Sequence, residues 1–519
     1  MNNYIITAEH TIKSAGNPDI NYYFATGTYV TKSTDTLANT VFRGDITSKI
    51  SLDKEIGFFA WGTQSKTTIS SIKLINRPDR KGLPGFYDDI PSQSVRDSKI
   101  VLKIVKQNAS YDTAIKIGGF IVDNYTYPSD DFIVYDLLDK ISLLDKNTQH
   151  LQFSDSIQFA NNRGLDQPIP IGYVYQADIP LIDKNNGYYQ VSTAYGNVTD
   201  VINLISNNTL KERADPFVYG TDYTYLLTIP NTGGLGWDLT NATNNGTITC
   251  DYLSLRYNAS IQSNTFQGFV GRLLVDATGY PATDIDFTSA AQIDTDFGYG
   301  YGYYIKTAEN AKAILTKCCS SHCGFFYQSN QGQIVFDVLK PPQATATFEV
   351  NSLNLASGVS ITLDTAPGLS DSAAARKNVY KFSYDEVRDI GGLSEEDKQT
   401  ASSEYQYYCR STVTTAGNDV FHDTYAHARN GCYKPTLLTE KTDAQDFIVQ
   451  CENLYSVERN HYDMSYIADN LLELLQLELN TTFKLTHDRY SLNSGKNLIL
   501  TRMKIPNLLA NKAQIRGWG

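Results

Sequence analysis

The sequence predicts a mainly β fold of the α+β class, in which two small β-barrel domains flank a mixed α/β insertion. The first observation is composition: 36 Tyr and 22 Phe accompany only 19% charged residues, and aromatic residues favour strands. The second is a strand–turn–strand pattern that occurs near both ends of the chain, at residues 99–138 and 496–518. The third is the helical spacing of apolar residues in the middle and in one later segment. We therefore expect domains at residues 1–150, 151–345 and 346–519.

The N-terminal domain is predicted to consist of strands. Three of them are expected at Lys99–Lys106, Ala114–Asp123 and Asp131–Leu138. In the first, Ile100, Leu102 and Ile104 share one face, which is the period-2 pattern of a half-buried strand. Tyr127-Pro128-Ser129 is expected to join the other two. Short units of this kind resemble one another often, so a true relationship between the two barrels and a chance likeness both stay open.

The insertion is predicted to mix helices and strands. Helical spacing is found at Val198, Val201, Ile202 and Ile205. After a strand at Tyr303–Ile305, Thr307 is positioned to cap a further helix, and Gly324 is positioned to end it. The apolar stripe of that helix is Ala308, Ala311, Leu315, Cys318 and His322. A hairpin of Phe325–Tyr327 and Ile334–Val338 is expected to follow.

The C-terminal domain is predicted to hold one clear helix and a run of strands. The helix is Thr442–Val457, in which Thr442 and Gln445 fit a capping box. Its apolar stripe is Ala444, Phe447, Ile448, Cys451 and Tyr455, which we expect to cover the C-terminal strands. Strands are expected at Thr482–Thr486, Lys496–Ile505 and Lys512–Trp518, with turns at Asn493–Gly495 and Pro506–Asn507. One face of the second strand is predicted to be Asn497, Ile499, Thr501, Met503 and Ile505. Residues 366–403 are expected to hold polar loops.

Charge and length limit the function classes. The 519 residues carry a formal net charge of −12, so a non-specific grip on nucleic acid, which needs a basic surface, is not expected. The N-terminal residues lack the pattern of a secretory signal, and no apolar run reaches membrane-spanning length. We expect synthesis in a host bacterial cytoplasm, no stable membrane anchor and seven reduced thiols.

Four residues have the side chains of a zinc site: Cys318, Cys319, His322 and Cys323. A structural zinc site needs two spaced pairs of ligands, whereas these four lie on one helical turn and its end. Cys318 and His322 also fall on the apolar stripe, and free cysteine is among the most buried residue types. We predict that the cluster packs in the core and binds no metal.

Alternating Gly and Tyr at residues 298–303 could suggest a phosphate-binding loop. Lys306-Thr307 does precede the predicted helix, but the spacing of a phosphate loop is absent. A strand that packs its rings on one face is the simpler interpretation.

Acidic pairs and a histidine group are the other candidates for chemistry. The pairs are Asp88/Asp89, Asp284/Asp286 and Asp294/Asp296. Paired carboxylates could serve glycoside hydrolysis or, at Asp294 and Asp296, calcium binding, but no EF-hand loop follows and 56 acidic residues make such pairs common. His422-Asp423 and His427, near Tyr425, lack a catalytic frame. We predict no catalytic, cofactor-binding or metal-binding residues and no enzyme activity.

Two stretches of the chain carry a more specific pattern. The C-terminal stretch runs as strand, RYSLNSGK, strand, turn and a terminal WG. The other is LDQPIPIGYVYQADIPL at Leu165–Leu181, followed by DKNNGYYQVS at Asp183–Ser192. Its matched positions are Pro168, Pro170, Gly172, Val174, Pro180, Ile182, Asp183, Tyr189, Gln190 and Val191. Together the stretches resemble tail (baseplate) hub proteins of long-tailed bacteriophages.

The resemblance is strongest at residues 70–195 and 440–519, and residues 205–300 have no counterpart. It implies a virion structural protein at the tail tip, in which two barrels from each of three subunits form a pseudo-sixfold ring. That homotrimer would join the hexameric tail tube to the threefold tip. Implied partners are the tail tube or distal tail protein, the tape-measure protein, and tail fibres or a central spike. The alternatives are a tail-associated cell-wall or capsule hydrolase and a receptor-binding tail adhesin.

A channel for phage DNA is part of what the resemblance implies. DNA would pass without specific binding, so the channel wall should be acidic or neutral, because a basic lumen would hold the phosphates. We expect more Asp and Glu than Lys and Arg on that surface. The first candidates are Asp123, Asp131 and Asp136 on outer strands.

Overall fold

The computed structural model describes most of the N-terminal and C-terminal parts of the chain and part of the middle. The described residues are 4–13, 18–59, 62–76, 87, 95–149, 166, 168–178, 181–183, 188–190, 198–206, 209–211, 217–219, 225–228, 248–254, 261–363, 379–384, 412–417, 432–434, 436–455, 457 and 459–519. Strands predominate among them, as the composition predicted. No helix within these ranges is both long enough and apolar enough to cross a membrane.

The described residues of the N-terminal part form ten strands. They are β1 (Tyr4–Ile12), β2 (Ile20–Ala25), β3 (Tyr29–Val30), β4 (Val41–Phe42), β5 (Leu52–Phe59), β6 (Gly62–Ile69), β7 (Ile72–Ile75), β8 (Lys99–Lys106), β9 (Ile115–Ser129) and β10 (Phe132–Leu138). Six of them form a sheet in the order β2-β1-β8-β9-β10-β7. The three predicted strands are confirmed, and Ile100, Leu102 and Ile104 are buried together. The turn between β9 and β10 falls at residues 130–131, beyond the predicted Tyr127–Ser129.

The two edges of this sheet are joined by the segment at residues 43–47. On the β2 side, Ala25 N donates to Arg43 O and Ile46 N donates to Ala25 O at 2.9 Å. On the β7 side, Thr47 N donates to Lys73 O and Ile75 N to Asp45 O, each at 2.9 Å. One short segment therefore satisfies backbone groups on both edge strands, which would otherwise be open to pairing with another chain.

Eleven strands and three α-helices are described in the middle of the chain. The strands are β11 (Ile169–Asp178), β12 (Leu181–Asp183), β13 (Tyr188–Gln190), β14 (Val198–Ser206), β15 (Thr209–Lys211), β16 (Phe217–Tyr219), β17 (Tyr225–Thr228), β18 (Ile248–Ser254), β19 (Gly302–Ile305), β20 (Gly324–Gln328) and β21 (Ile334–Val338). The helices are α1 (Phe266–Val270), α2 (Phe287–Phe297) and α3 (Ala311–Ser320). The sheet orders are β15-β14-β18-β11-β19, β12-β13-β17-β16 and β20-β21.

The predicted helix around Val198 is wrong, since these residues form β14. The strand pairs with β18 and has register irregularities between Val198 and Asp200 and between Val201 and Asn203. An extra residue at a bulge changes the alternation of a strand, so apolar residues recur at intervals other than two. Such intervals imitate helical spacing, and the β-branched Val and Ile residues were the better signal.

Helix α3 begins later than predicted. Asn310 caps it by accepting from Ala313 N at 3.0 Å, so the cap prediction for Thr307 is wrong. The left-handed residue after the helix is Cys323, with φ of 55°, and Gly324 already belongs to β20. Strand β19 and the hairpin β20–β21 are confirmed.

Nine strands and two α-helices are present among the described residues of the C-terminal part. The strands are β22 (Phe348–Val350), β23 (Leu355–Leu363), β24 (Val379–Tyr384), β25 (Thr412–Gly417), β26 (Cys432–Lys434), β27 (Asn460–Ile467), β28 (Thr482–Leu485), β29 (Lys496–Ile505) and β30 (Lys512–Trp518). The helices are α4 (Lys441–Tyr455) and α5 (Leu471–Gln476). One sheet has the order β22-β28-β29-β30-β27-β23, and another has the order β25-β24-β26. The strand β24 lies within residues 366–403, where polar loops were expected, and the rest of that range falls outside the described residues.

Helix α4 and strand β29 each depart from the prediction in one detail. The helix starts at Lys441, so Thr442 lies inside it, and it ends at Tyr455. Four residues of the predicted stripe, Ala444, Phe447, Ile448 and Cys451, share a core cluster with Ile499 and Trp518 of the C-terminal sheet, as expected. In β29 the buried face changes at a register shift between Leu500 and Arg502, so the single predicted face is wrong.

The two terminal sheets have the same order of four strands. In the N-terminal sheet β8, β9 and β10 follow one another, and β7, which precedes them in the chain, pairs with β10. In the C-terminal sheet β28, β29 and β30 follow one another, and β27, which precedes them, pairs with β30. This shared order is stronger evidence of similarity than the short strand–turn–strand units in the sequence.

The main core crosses the predicted domain boundaries. One cluster joins apolar residues of the N-terminal sheet, such as Ile6 and Phe120, to residues of the C-terminal sheet, such as Leu500 and Ile515. A second cluster joins α1, α2 and α3 to α4. The terminal parts are therefore packed together, while the domain limits at 150/151 and 345/346 stay a prediction.

His10 provides a test of the N-terminal core by pH. Its Nε2 lies 2.7 Å from Ser98 Oγ, which itself donates to Val95 O, so Nε2 carries the proton and donates. Its Nδ1 has no hydrogen-bond partner among the described residues, and burial lowers the pKa of His10 to about 4.

We expect the free energy of unfolding to fall as the pH falls from about 6.5 to about 4, by about 3 kcal/mol from His10 alone. Between these pH values His10 takes up a proton in the unfolded chain but not in the folded chain. Above pH 6.5 it is neutral in both states, so it adds nothing to the pH dependence of the free energy of unfolding. Urea titrations at several pH values measure the slope. His10→Gln, which keeps a donor for Ser98, should lose the part of the pH dependence that comes from His10. Equal slopes of the free energy of unfolding against pH in the variant and the wild type would contradict the low pKa of His10.

Candidate functional site: the junction of the terminal sheets

The hairpin β5–β6 connects the two ends of the chain. It belongs to the N-terminal part by sequence, yet β5 pairs antiparallel with β29, so that Leu52 faces Ile505 and Glu55 faces Arg502. Behind it, Ser65 Oγ of β6 donates to Phe326 O of β20. One hairpin thus contacts the N-terminal core, the C-terminal sheet and the middle of the chain.

A buried lysine lies at the centre of this junction. The Nζ atom of Lys54 is 2.7 Å from Asn330 Oδ1 and 3.0 Å from Glu478 Oε2, and the residue is 1% exposed. Asn330 N donates to Glu478 Oε1 at 3.0 Å, and Asn330 Nδ2 donates to Leu475 O at 2.6 Å. The charge is therefore paired and hydrogen-bonded, which is what allows a lysine to be buried at all.

The loop of the hairpin β20–β21 also contacts the N-terminal sheet. A Cβ on Gly332, which has φ of +73°, would lie 2.9 Å from Gly119 N of β9. Glycine is needed here both for the left-handed backbone and for the close approach. Nearby, Lys116 Nζ donates to Gln331 O. The same loop thus reaches β5, β9 and the residues after α5.

Charged side chains form a row across the outer face of the C-terminal sheet. Arg502 binds Asp53 through Nε at 3.1 Å and Nη2 at 2.7 Å. Arg516 lies 3.3 Å from Glu55 and donates from Nε to Asp463 at 2.8 Å. All five side chains are 25–35% exposed, so each pair contributes modestly to stability. The row fixes the register of β5 beside β29.

The acidic pairs are distributed among structural roles. Asp284 pairs with Lys140 at 2.7 Å, and Asp286 caps α2 by accepting from Thr288 N at 3.0 Å. Asp294 accepts from the first N–H groups of α1, and burial raises the pKa of its carboxyl. Asp296 pairs with Lys340 at 2.6 Å. These four carboxylates serve caps and ion pairs; Asp88 and Asp89 lie outside the described residues.

The cysteine and histidine cluster lies in the core. Cys318 and Cys319 are buried in α3, and Nδ1 of the fully buried His322 is 2.9 Å from Tyr301 Oη. Cys323 points elsewhere, since its Sγ contacts Cys451 of α4. Among the described residues no group of three or more His, Cys, Asp or Glu side chains could hold a metal ion. That no metal binds stays a prediction.

The run of alternating Gly and Tyr forms a close strand contact. Gly298 ends α2 in a left-handed conformation, with φ of 65°. A Cβ on Gly302 would lie 1.7 Å from Tyr173 O of β11. Tyr299 and Tyr301 are buried, and burial raises the pKa of both hydroxyls. The predicted aromatic strand begins at Gly302, with a bridge at Tyr301.

The candidate channel residues are partly accessible. Asp123 and Asp131 are exposed, and Asp136 accepts from Ser71 Oγ at 2.6 Å.

The histidine group at residues 422–427 lies outside the described residues.

The junction residues Lys54, Asn330 and Glu478 were not predicted as a site. One signal was available: Leu52 and Ile56 lie on the buried face of β5, so the alternation also places Lys54 on that face. A lysine at a core-facing position of a strand implies a partner. Its partners are 276 and 424 residues away in the chain, which no local pattern shows.

Three of the solved structures that the chain resembles are tail proteins, two of them from prophages. One is the tail protein from Neisseria meningitidis MC58, at 9% identity and a TM-score of 0.40, covering 99% of this chain and 96% of that one. A second is the prophage MuSo2 43 kDa tail protein from Shewanella oneidensis, at 8% identity and 0.37, covering 92% and 95%. A third is the prophage tail protein gp18 from Listeria monocytogenes EGD-e, at 9% identity and 0.33, covering 99% and 94%.

All three are named as tail proteins, the broader class that includes the hub proteins that the two sequence stretches resemble. No protein-family model matches the chain, and no curated protein matches its sequence.

Proposed function

We propose that this chain is a structural hub of a phage tail tip, which joins the hexameric tail tube to a threefold tip and surrounds the DNA channel. The observation that carries the proposal is the same four-strand order in both terminal sheets. A ring of three subunits would then present six similarly arranged sheets, which suits a sixfold tube. The sequence stretches at residues 165–192 and 481–519 support the same function.

Each terminal sheet has a feature that supports a barrel. The segment at residues 43–47 joins both edges of the N-terminal sheet. In the C-terminal sheet the edge strands β22 and β23 are consecutive in the chain, separated only by the turn at residues 351–354. The barrels would flank the insertion at residues 151–345, with β5 shared between the two ends.

A homotrimer needs apolar contact surface, and Leu353 offers it. Leu353 is 93% exposed on a turn held by Asn351 and Asn354, since Asn351 N donates to Asn354 Oδ1 at 2.7 Å and Leu353 N donates to Asn351 Oδ1 at 2.9 Å. The backbone of the turn is already held by these bonds, so only the freedom of the Leu353 side chain is lost when a partner buries it.

Leu353→Asp should therefore weaken self-association at least ~10-fold, since an interface anchor is typically worth more than about 1.4 kcal/mol. The thermal midpoint of the dissociated chain should not change, because the side chain is exposed. Sedimentation equilibrium measures the association, and Val457→Asp, a change at another exposed apolar residue, is the control. If Leu353→Asp, Val457→Asp and the wild type all have the same association constant, Leu353 does not lie in the interface.

The charges indicate which surface faces the channel. Five basic side chains lie on the outer strand positions of the sheet around β5 and β29: Lys66, Arg502, Lys504, Lys512 and Arg516. Three acidic side chains accompany them: Asp53, Glu55 and Asp463. A net basic face would hold DNA, so it lies away from the channel, and the region of Asp123 and Asp131 lies closer to it.

The enzyme alternative predicts activity on peptidoglycan or capsule, and the adhesin alternative predicts binding to host cells. The structural roles of Asp284, Asp286, Asp294 and Asp296 favour neither. We expect no hydrolase activity, no cofactor, and contacts with the tail tube or distal tail protein, the tape-measure protein and the fibres or spike. Immunogold labelling of virions should place the chain at the tail tip; label along the fibres or absent from the particle would overturn the hub function.

A further inference from the structure

Two buried cysteines from distant parts of the chain lie in contact. The Sγ atoms of Cys323 and Cys451 are 3.7 Å apart, and the residues are separated by 128 positions. Cys323 is 4% exposed and lies between α3 and β20, whereas Cys451 is 0% exposed and lies in α4. The contact joins the hairpin that reaches the sheet junction to the helix of the C-terminal part.

We propose that Cys323 and Cys451 are a site of disulfide modification, at which oxidation fastens the hairpin β20–β21 to α4. The sulfur atoms of a disulfide are about 2.05 Å apart, and rotation about the Cα–Cβ bonds moves both sulfurs without moving the backbone. The bond would close a long loop of chain. A longer loop means a larger loss of conformational entropy in the unfolded state, and therefore a larger stabilisation of the folded state. This inference stands independently of the proposed virion function.

The neighbouring cysteines are poorer candidates for the reaction. Burial raises the pKa of the thiols of Cys318 and Cys319 well above the usual range. The thiolate is the nucleophile in disulfide exchange, so a raised pKa lowers the reactive fraction of these two thiols. They are also adjacent in α3, where their side chains point in different directions.

A cavity lies beside one neighbour of the pair. It has a volume of about 860 Å³ and is lined in part by Tyr299, Leu339 and Gln450. Gln450 directly precedes Cys451, and its side-chain amide donates at 3.0 Å to the carbonyl oxygen of His322, which directly precedes Cys323. Neither cysteine is among the residues that line the cavity, so the reaction requires a local opening of the packing around the two thiols.

The reaction is thiol–disulfide exchange with a small disulfide such as oxidised glutathione. One protein thiolate attacks the oxidant and forms a mixed disulfide, releasing one glutathione thiolate, which takes up a proton. The second protein thiol loses its proton, and its sulfur then displaces the second glutathione. Two protein thiols are oxidised, and one small disulfide is reduced to two thiols.

The experiment incubates the folded full-length chain with oxidised glutathione, alkylates free thiols and digests with trypsin without reduction. Trypsin does not cleave before Pro341, so it leaves Cys318, Cys319 and Cys323 in one peptide, residues 318–376, and Cys451 in another, residues 442–459. We expect these peptides to be linked, with a mass lower by two hydrogens than their sum. Fragmentation should place the bond at Cys323, and the oxidised protein should melt several degrees above the reduced protein.

Two variants act as matched controls. Cys451→Ala should abolish the link and the redox dependence of melting, while Cys318→Ala, a change at an equally buried cysteine, should keep both. Recovery of Cys323 and Cys451 as alkylated thiols after prolonged oxidation of the wild type would overturn the proposal. So would a link through Cys318 or Cys319. The tryptic peptide map of the wild-type protein tests the Cys323–Cys451 link even if a variant does not fold.

Discussion

Lys54→Met is expected to lower the free energy of unfolding by about 3 kcal/mol. The substitution keeps most of the apolar stem but removes the charge that pairs with Glu478 and holds Asn330 Oδ1. Asn330 is 9% exposed, so its oxygen would lose its partner in a place that water reaches poorly. The loss should appear as a lower midpoint in urea, measured by far-ultraviolet circular dichroism.

The matched control is Lys66→Met, which makes the same chemical change at an exposed position of the neighbouring strand β6. Its effect should stay within about 0.5 kcal/mol, as for most exposed substitutions. If the two variants unfold at the same urea concentration, the Lys54 network does not hold the junction together. Lys54→Met combined with Glu478→Gln should cost less than the sum of the single changes, because both remove the same ion pair.

Gly302→Ala is expected to destabilise the chain by more than about 3 kcal/mol or to prevent folding of the β11–β19 pair. The new Cβ would lie 1.7 Å from Tyr173 O and 2.8 Å from its carbonyl carbon. Both are backbone atoms of the partner strand, so they cannot move aside without breaking the ladder in which Gly172 faces Gly302. Thermal unfolding and the yield of soluble protein measure the effect.

A strand glycine with free space is the control for this change. A Cβ on Gly358 of β23 would meet nothing within 4 Å, so Gly358→Ala should be close to neutral. Similar thermal midpoints for Gly302→Ala and Gly358→Ala would show that β11 and β19 are not in the close contact described.

Local patterns predicted the strands that alternate cleanly. Strands β8, β28 and β30 were placed correctly because one buried face imposes a period of two on the sequence. The prediction failed where a bulge interrupts that period, as in β14 and at the register shift of β29. The cap of α3 was misplaced because Thr307 and Asn310 are both acceptable caps, and tertiary packing decides between them.

Long-range pairing was the part that the sequence could not predict. Nothing near residues 52–59 indicates that this strand pairs with β29, more than 400 residues later, rather than with the N-terminal sheet. The junction network was missed for the same reason, since only Lys54 has an unusual local context and its partners Asn330 and Glu478 are 276 and 424 residues away in the chain. The acidic pairs show the reverse case. The spacing of Asp294 and Asp296 suggested a binding site, yet Asp294 accepts from the first N–H groups of α1 and Asp296 forms an ion pair with Lys340.

The number of copies of this chain in an isolated tail tip complex tests the hub function most directly. Native mass spectrometry of the complex, with the mass of the chain known as 57.8 kDa, measures that number. We expect three copies in each complex. A single copy, or any number that is not a multiple of three, would contradict the proposal that three subunits surround the DNA channel.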